Sequence, residues 1–378
     1  MKTMKIQLLC AAILATLVGT ARADITIGVS LPLTGPASGL GIPAKNGLTL
    51  WPATVAGEKI NLIVLDDATD PTLGVKNARR FVTEDKADLI LGSIATPVAI
   101  PIAEVAAEAQ TVQLALSPIP LPAGKDHWSF RLAHSAGVMG QAMVEHMKKQ
   151  GVKTIGFIGY NDAYGESWLR DITPLLDAAG IKMVATERFA RSDTGVTAQA
   201  LKLTAANPDA ILVVASGSGA AMPQLALAER GYKGKIYQTH AAATKDLMRI
   251  GGKTVEGTFV SAGPAIVAEA LPDSNPSKKQ AMTYAAAYDK AFGPGSRNQF
   301  GAHSFDAYLL LEAAVPGALK KGKPGTPAFR AALRDELESL ARLPVSQGVL
   351  DYKPNDHWGF TPDTGVMLKV VNGDWKVE

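Results

Sequence analysis

The chain has 378 residues, of which 47% are hydrophobic and 19% charged, enough length and apolar content for two domains. Losing Lys2, Lys5 and Arg22 with an N-terminal leader would bring the 38 basic residues level with the 35 acidic ones, so charge favours neither nucleic acid nor an anionic membrane as partner. The single cysteine, Cys10, lies in that leader, which excludes a disulfide, a thiolate nucleophile and a cysteine-based metal site from the mature chain.

Residues 1–23, "MKTMKIQLLCAAILATLVGTARA", carry two early lysines, an apolar stretch from Ile6 to Val18 and a small-x-small end at Ala21-Arg22-Ala23. That pattern predicts a secretory signal peptide cleaved before Asp24. No second long apolar segment follows, so a soluble periplasmic product is expected.

The first predicted strand, "ITIGVSL" (25–31), breaks into a loop with Pro32, Thr34, Gly35, Pro36, Ser38, Gly39 and Gly41. A phosphate cradle is a poor reading. The spacing matches neither a P-loop nor a dinucleotide turn, and the prolines remove backbone donors. "INLIVLDD" is the next strand. "PTLGVKNARRFVTEDK" then predicts a helix with Asp70 as N-cap, Pro71 in its first position, and Ala78, Phe81 and Val82 facing inward. "ADLILGS", "VQLAL", "KTIGFIG", "DAILVVAS" and "KIYQT" continue the series of apolar strands between amphipathic stretches. Continuous apolar strands alternating with helices predict an α/β fold of doubly wound parallel sheets.

An internal echo supports two similar halves. "ITIGVSLPLTG" resembles "KTIGFIGYNDAYG", and "ADLILGSIATPVAIP" resembles "PDAILVVASGSGAAMP". Ligands of parallel sheets sit beyond the carboxyl ends of the strands. A cleft between the halves would therefore be lined by the loops after "SLPLTGP", "LGSIATP", "LALSPIP", "IGYNDAYG", "VVASGSG" and "YQTHAAAT". Later come three predicted helices, in "SKKQAMTYAAAYDKAF", "AHSFDAYLLLEAAVPGALKK" and "PAFRAALRDELESLA". The end reads as a hairpin turning at Asn372-Gly373.

Catalytic constellations are poor. His127, His134, His146, His240, His303 and His357 are scattered without metal-ligand spacing, and there is no nucleophile elbow. Asp66, Asp67 and Asp70 are covered by a strand end and a helix cap. "SGSG" at 216–219 is either an anion nest or an ordinary small loop. Neither a metal nor a cofactor is expected, and the chain does not read as an enzyme.

"ITIGVSLPLTGPASGLG", "LDDATDP", "LGSIATP", "LALSP" and "GYNDAYGESW" in this order resemble the branched-chain amino-acid type of periplasmic solute-binding protein. The resemblance implies the type I periplasmic-binding fold. Two doubly wound parallel-sheet lobes are joined by three hinge crossings, and they close on a ligand that an inner-membrane ABC permease receives. The crossings are expected near Arg131, Gly263 and Val345, giving lobe 1 from 24–131 plus 264–345 and lobe 2 from 132–263 plus 346–378. The protein is expected to be a monomer.

Matching motif to motif implies ligand contacts at Ala95 and Thr96, which would hold a carboxylate, and at Ser117, Pro118 and Ile119, whose backbone would meet an ammonium. It also implies Leu40 in the first lobe, Tyr164 reaching in from the second, and the loop of Ser216, Gly217 and Ser218. The family's amino-acid binders usually carry an acidic residue after the "KIYQT" strand. Here His240 stands there, followed by Ala241, Ala242 and Ala243, and the ammonium loop is the apolar "SPIPLP". A buried ammonium without a carboxylate is expensive. The expected ligand is thus a small organic acid, an aromatic carboxylate or a 2-oxo acid. The alternatives are a branched-chain or other neutral amino acid, or a ligand-sensing receptor module. Two readings stay open for single residues: Thr96 could be only a helix cap, and His240 only a solvent-facing loop residue.

Overall fold

The computed structural model describes residues 24–378, so the expected signal peptide lies outside the described residues. β1 (Ile25–Leu31) is an inner strand of the first sheet, paired in parallel on both sides. Ile25, Ile27, Val29 and Leu31 are fully buried. This is why an unbroken apolar run suits it better than alternation. The chain continues through α1 (Ser38–Leu48), β2 (Thr54–Val55), β3 (Glu58–Asp66), α2 (Pro71–Thr83), β4 (Leu89–Gly92), α3 (Thr96–Glu108), β5 (Val112–Ala115) and β6 (Ser129–Arg131). The sheet order is β2-β3-β1-β4-β5-β6, parallel except for the short edge strand β2. α2 begins as the sequence predicts: the Asp70 carboxylate accepts from the Thr72 and Leu73 amides at 2.6 and 3.3 Å.

The second sheet is built the same way. α4 (Ala136–Lys149), β7 (Thr154–Tyr160), α5 (Ala163–Ala178), β8 (Lys182–Phe189), α6 (Thr197–Ala206), β9 (Ala210–Val214), α7 (Ala221–Glu229), β10 (Lys235–Gln238), α8 (Lys245–Gly251) and β11 (Phe259–Ala262) follow in order. After them come α9 (Lys278–Phe292), α10 (Gln299–Ala318), α11 (Pro327–Ser339), the pair β12 (Leu343–Val345) and β13 (Gly348–Leu350), and the hairpin β14 (Val366–Val371) and β15 (Asp374–Val377). Sheet order is β15-β14-β11-β10-β9-β7-β8. Asn372 and Gly373 take positive φ at the last turn, 54° and 71°, as a tight hairpin requires.

Each sheet has a point where the chain leaves one strand in opposite directions. β1 is flanked by β3 and β4, and β7 by β8 and β9. A crevice opens beyond the strand ends at such a switch point. Two of them, one per lobe, face the same space.

The crossings between the lobes differ in part from expectation. β6 pairs in the first sheet, Leu132 lies in the first core and Ala136 in the second. Ala262 belongs to the second core and Ala265 to the first. The third crossing is not near Val345. Val345, Leu350, Tyr352 and Phe360 all pack in the first core, and Leu368 is in the second, so the chain crosses between Phe360 and Leu368. The antiparallel β12–β13 pair folds the chain back onto the first lobe before it leaves. The late helices α9 to α11 also return to the first core, through Tyr284, Phe300, Leu310 and Phe329.

The first two crossings and the β12–β13 turn meet at Gly263. A Cβ there would stand 2.4 Å from Gln347 Oε1 and 2.9 Å from His134 Cε1, so a side chain would force these neighbours to shift. His134 Nε2–H donates to the Gln347 carbonyl at 2.8 Å, and its ring stacks on Phe360 at 4.0 Å.

Candidate ligand cleft

A small cavity lies between the lobes. Its walls are the switch-point loops. From the first lobe come Leu40 on α1, Ile94, Ala95 and Thr96 after β4, and Leu116 and Pro118 after β5. From the second come Tyr164 after β7, Arg191 after β8, Ser216 after β9, and His240 and Ala241 after β10. Ala133 from the first crossing and Phe300 and His303 from α10 complete it.

Of the residues expected from sequence, Leu40, Ala95, Thr96, Pro118, Tyr164, Ser216 and His240 are brought together here. Four are not. Ser117 is buried and its hydroxyl donates to the Ser93 carbonyl at 3.1 Å. Ile119 packs in a small satellite core with Ala99 and Ala115, and its carbonyl accepts from Arg131 Nε at 3.0 Å. Gly217 lies behind Ser216, against Leu40 of the opposite lobe. Ser218 faces solvent.

Thr96 opens α3 but does not cap it. The N-cap is Ala95, and no side chain caps this helix. Thr96 is therefore not serving as a cap, and its buried side chain lines the cavity at the positive end of a 13-residue helix. α5 begins on the other side of the cleft. The Asp162 carboxylate caps it, accepting from the Tyr164 amide at 2.9 Å and the Gly165 amide at 3.3 Å. The Tyr164 hydroxyl shares a hydrogen bond with Thr239 Oγ1 at 2.7 Å, and burial raises its pKa.

His240 is 2% exposed, which excludes a solvent-facing role. Burial, with His134 adding to it, lowers its pKa to about 3, so the imidazole is neutral. Among the described residues its Nδ1 finds no hydrogen-bond partner. His134 is held neutral by burial too, at about 4, and a carbonyl partner fixes its proton on Nε2. His303 is likewise pushed well down by burial. These three rings approach one another at 6.4 and 6.5 Å between centroids, yet among the described residues no group of side chains could hold a metal ion.

Arg191, Phe300 and His303 were missed in the sequence. Arg191 follows β8, an edge strand whose exposure alternates, so no apolar run marks it. Phe300 and His303 lie on a helix whose apolar composition conceals any binding face.

The chain matches the family described as periplasmic binding protein over residues 24–360. It is 26% identical over 348 residues to a Leu/Ile/Val-binding protein homolog of Brucella abortus, covering 88% of this chain and 89% of that one. An extracellular ligand-binding receptor from Rhodopseudomonas palustris superposes with a TM-score of 0.93 at 47% identity, covering 94% of this chain and 99% of that one. A solute-binding protein of an ABC transporter from R. palustris, described in complex with benzoate, superposes at 0.78 with 18% identity, covering 94% and 95%.

Proposed function

From a chain that belongs to the periplasmic binding protein family, of the branched-chain amino-acid type, and so binds a solute rather than catalysing a reaction, we infer that the ligand is a small organic acid without an ammonium group. An aromatic carboxylate or a 2-oxo acid meets that description. The protein would capture it in the periplasm, after signal-peptide cleavage, by closing its lobes, and pass it to an inner-membrane ABC permease.

One observation carries this reading: among the described residues, no aspartate or glutamate lines the cavity. Where the family's amino-acid binders usually have an acid, this chain has a buried neutral His240. An ammonium enclosed here would lose its hydration without gaining a counter-charge, a penalty of several kcal/mol. A carboxylate is better served, because Thr96 lies at a helix N-terminus. The benzoate complex of the distant R. palustris relative supports only the point that this fold can enclose an aromatic acid. The names of the Brucella relatives favour a leucine-type ligand instead, and the test must oppose the two.

Leucine and its 2-oxo analogue differ only at the group in question. Calorimetry at neutral pH with this pair, and with benzoate and para-hydroxycinnamate against valine, decides it. At least one acid is expected to bind a hundredfold or more tighter than either amino acid. Tighter binding of leucine than of every acid would overturn the proposal.

A further inference from the structure

We infer that Arg191 is the specificity-determining anchor of the second lobe, and that its guanidinium ties closure of the lobes to an anionic group on the ligand. This rests on the organic-acid reading above and adds the residue that reads the charge.

Among the described residues, Arg191 is the only one lining the cavity that carries a full charge, since burial holds His240 and His303 neutral. Its position is held from three sides. Nε donates to Asp162 Oδ2 at 2.5 Å, Nη1 donates to Ser216 Oγ at 3.1 Å, and the guanidinium lies over the Tyr160 ring, 4.0 Å from its centroid. A planar fork with five N–H donors spends two of them on these side chains. The other three, one on Nη1 and two on Nη2, are not spent on these side chains and would serve a ligand.

Asp162 does not cancel this charge. Its other oxygen accepts two amides at the N-terminus of α5, so the carboxylate is shared between the helix's positive end and the guanidinium. Helix terminus, carboxylate and guanidinium together leave positive potential facing the cleft. Asp162 thus acts as a positioning residue, and Arg191 is the group that touches the ligand.

The location couples anion to closure. Ser216, which Arg191 holds, precedes Gly217, and Gly217 lies against Leu40 of the first lobe, where an added Cβ would stand 3.1 Å from Leu40 Cδ1. α3 and α5, from opposite lobes, also contact each other. Arg191 therefore stands at the seam that forms when the lobes meet. An acid seated on Thr96 in the first lobe would gain a second set of donors only on closure. A neutral molecule of the same shape would not.

The test compares each acid with its primary amide, a nearly isosteric neutral probe: benzoate with benzamide, and para-hydroxycinnamate with its amide. Calorimetry is run on wild type, Arg191→Gln and Arg191→Lys, each first checked for an unchanged apo melting temperature. Wild type is expected to prefer acid over amide by a hundredfold or more. In Arg191→Gln the acid should weaken about thirtyfold or more while the amide changes less than threefold. Arg191→Lys, which keeps the charge but cannot serve Asp162 and Ser216 together, should recover part of the loss; it also carries the test if the glutamine variant does not fold. An acid-to-amide ratio unchanged in either variant overturns the role of Arg191 and leaves the organic-acid reading standing. A wild type that binds leucine and none of the acids overturns both.

Discussion

The first-lobe wall of the cleft meets a ligand with apolar side chains, Leu40, Ile94, Leu116, Pro118 and Phe300, and with one helix terminus at Thr96. The second-lobe wall meets it with polar groups already tied into networks: Tyr164 to Thr239, Arg191 to Asp162 and Ser216. The first wall is a surface to rest on. On the proposed function, the second carries the charge and the hydrogen-bond pattern that would discriminate between ligands, and it would make contact only when the lobes close. Changes in the first wall should alter how tightly any acid binds. Changes in the second should alter which ligand is accepted.

The strongest challenge to that division is His240→Glu. A second carboxylate in a closed cavity repels the first, and such like-charge contacts cost several kcal/mol, here about 3 or more, at least a hundredfold in affinity. Leucine should gain relative to its 2-oxo analogue, though the apolar loop after β5 limits the gain. If calorimetry finds the acid's affinity unaltered, the second wall does not choose the ligand.

Thr96→Val probes the first wall. Loss of one hydrogen bond to a charged group should weaken all acids alike, by about 1.5–3 kcal/mol. Because Thr96 caps nothing, the apo melting temperature should stay where it is. A selective loss for one acid would put discrimination in the first lobe as well.

The histidines predict a pH dependence. His240, at about 3, and His134, at about 4, lie below the ordinary value because burial disfavours the imidazolium. Below about pH 6.5 the unfolded chain takes up protons that the folded one refuses, so their contribution is complete above that pH and is lost as pH falls. Between pH 7 and 5 each such histidine lowers stability by about 2 kcal/mol. Asp67 and Asp306 in the first lobe act in the opposite sense. Burial pushes them up to about 6 and about 7, so their penalty is relieved on acidification through the same range. Melting curves of wild type and His240→Asn should therefore diverge, the variant losing less stability towards pH 5. Parallel curves would mean that His240 is not held neutral.

The smallest effect is expected from Gly263→Ala. An added methyl meets Gln347 Oε1 and His134 Cε1 where the crossings touch. Since the Gln347 side chain can yield, about 1 kcal/mol of overpacking is expected, against closure. All ligands should weaken alike, and scattering of the liganded variant should give a larger radius of gyration than wild type. A change in ligand preference would place part of the specificity in the hinge.

Much of the fold was legible because its signals are local. The apolar runs of β1, β4, β5, β7, β9 and β10 are inner strands covered on both faces, and Asp70-Pro71 announces a helix start within four residues. The six loops expected to line a cleft all contribute to the cavity wall. Single contacts were harder to read. Ser117 and Ile119 belong to a lining loop, but their side chains turn into the body of the lobe, and neither composition nor spacing reveals which way a loop residue faces.

The sequence by itself determined the alternating α/β plan, the pairing of two similar halves and the absence of an acidic residue among the three alanines after His240. Each of these depends on neighbours in the chain. Only the tertiary structure decided that Arg191 enters the cavity, that α10 contributes Phe300 and His303, that His240 is buried and neutral, and that the last crossing waits until after Phe360. Those facts depend on segments far apart in the chain being packed together, and on the solvent which that packing removes. Removing solvent is what holds a buried imidazole neutral.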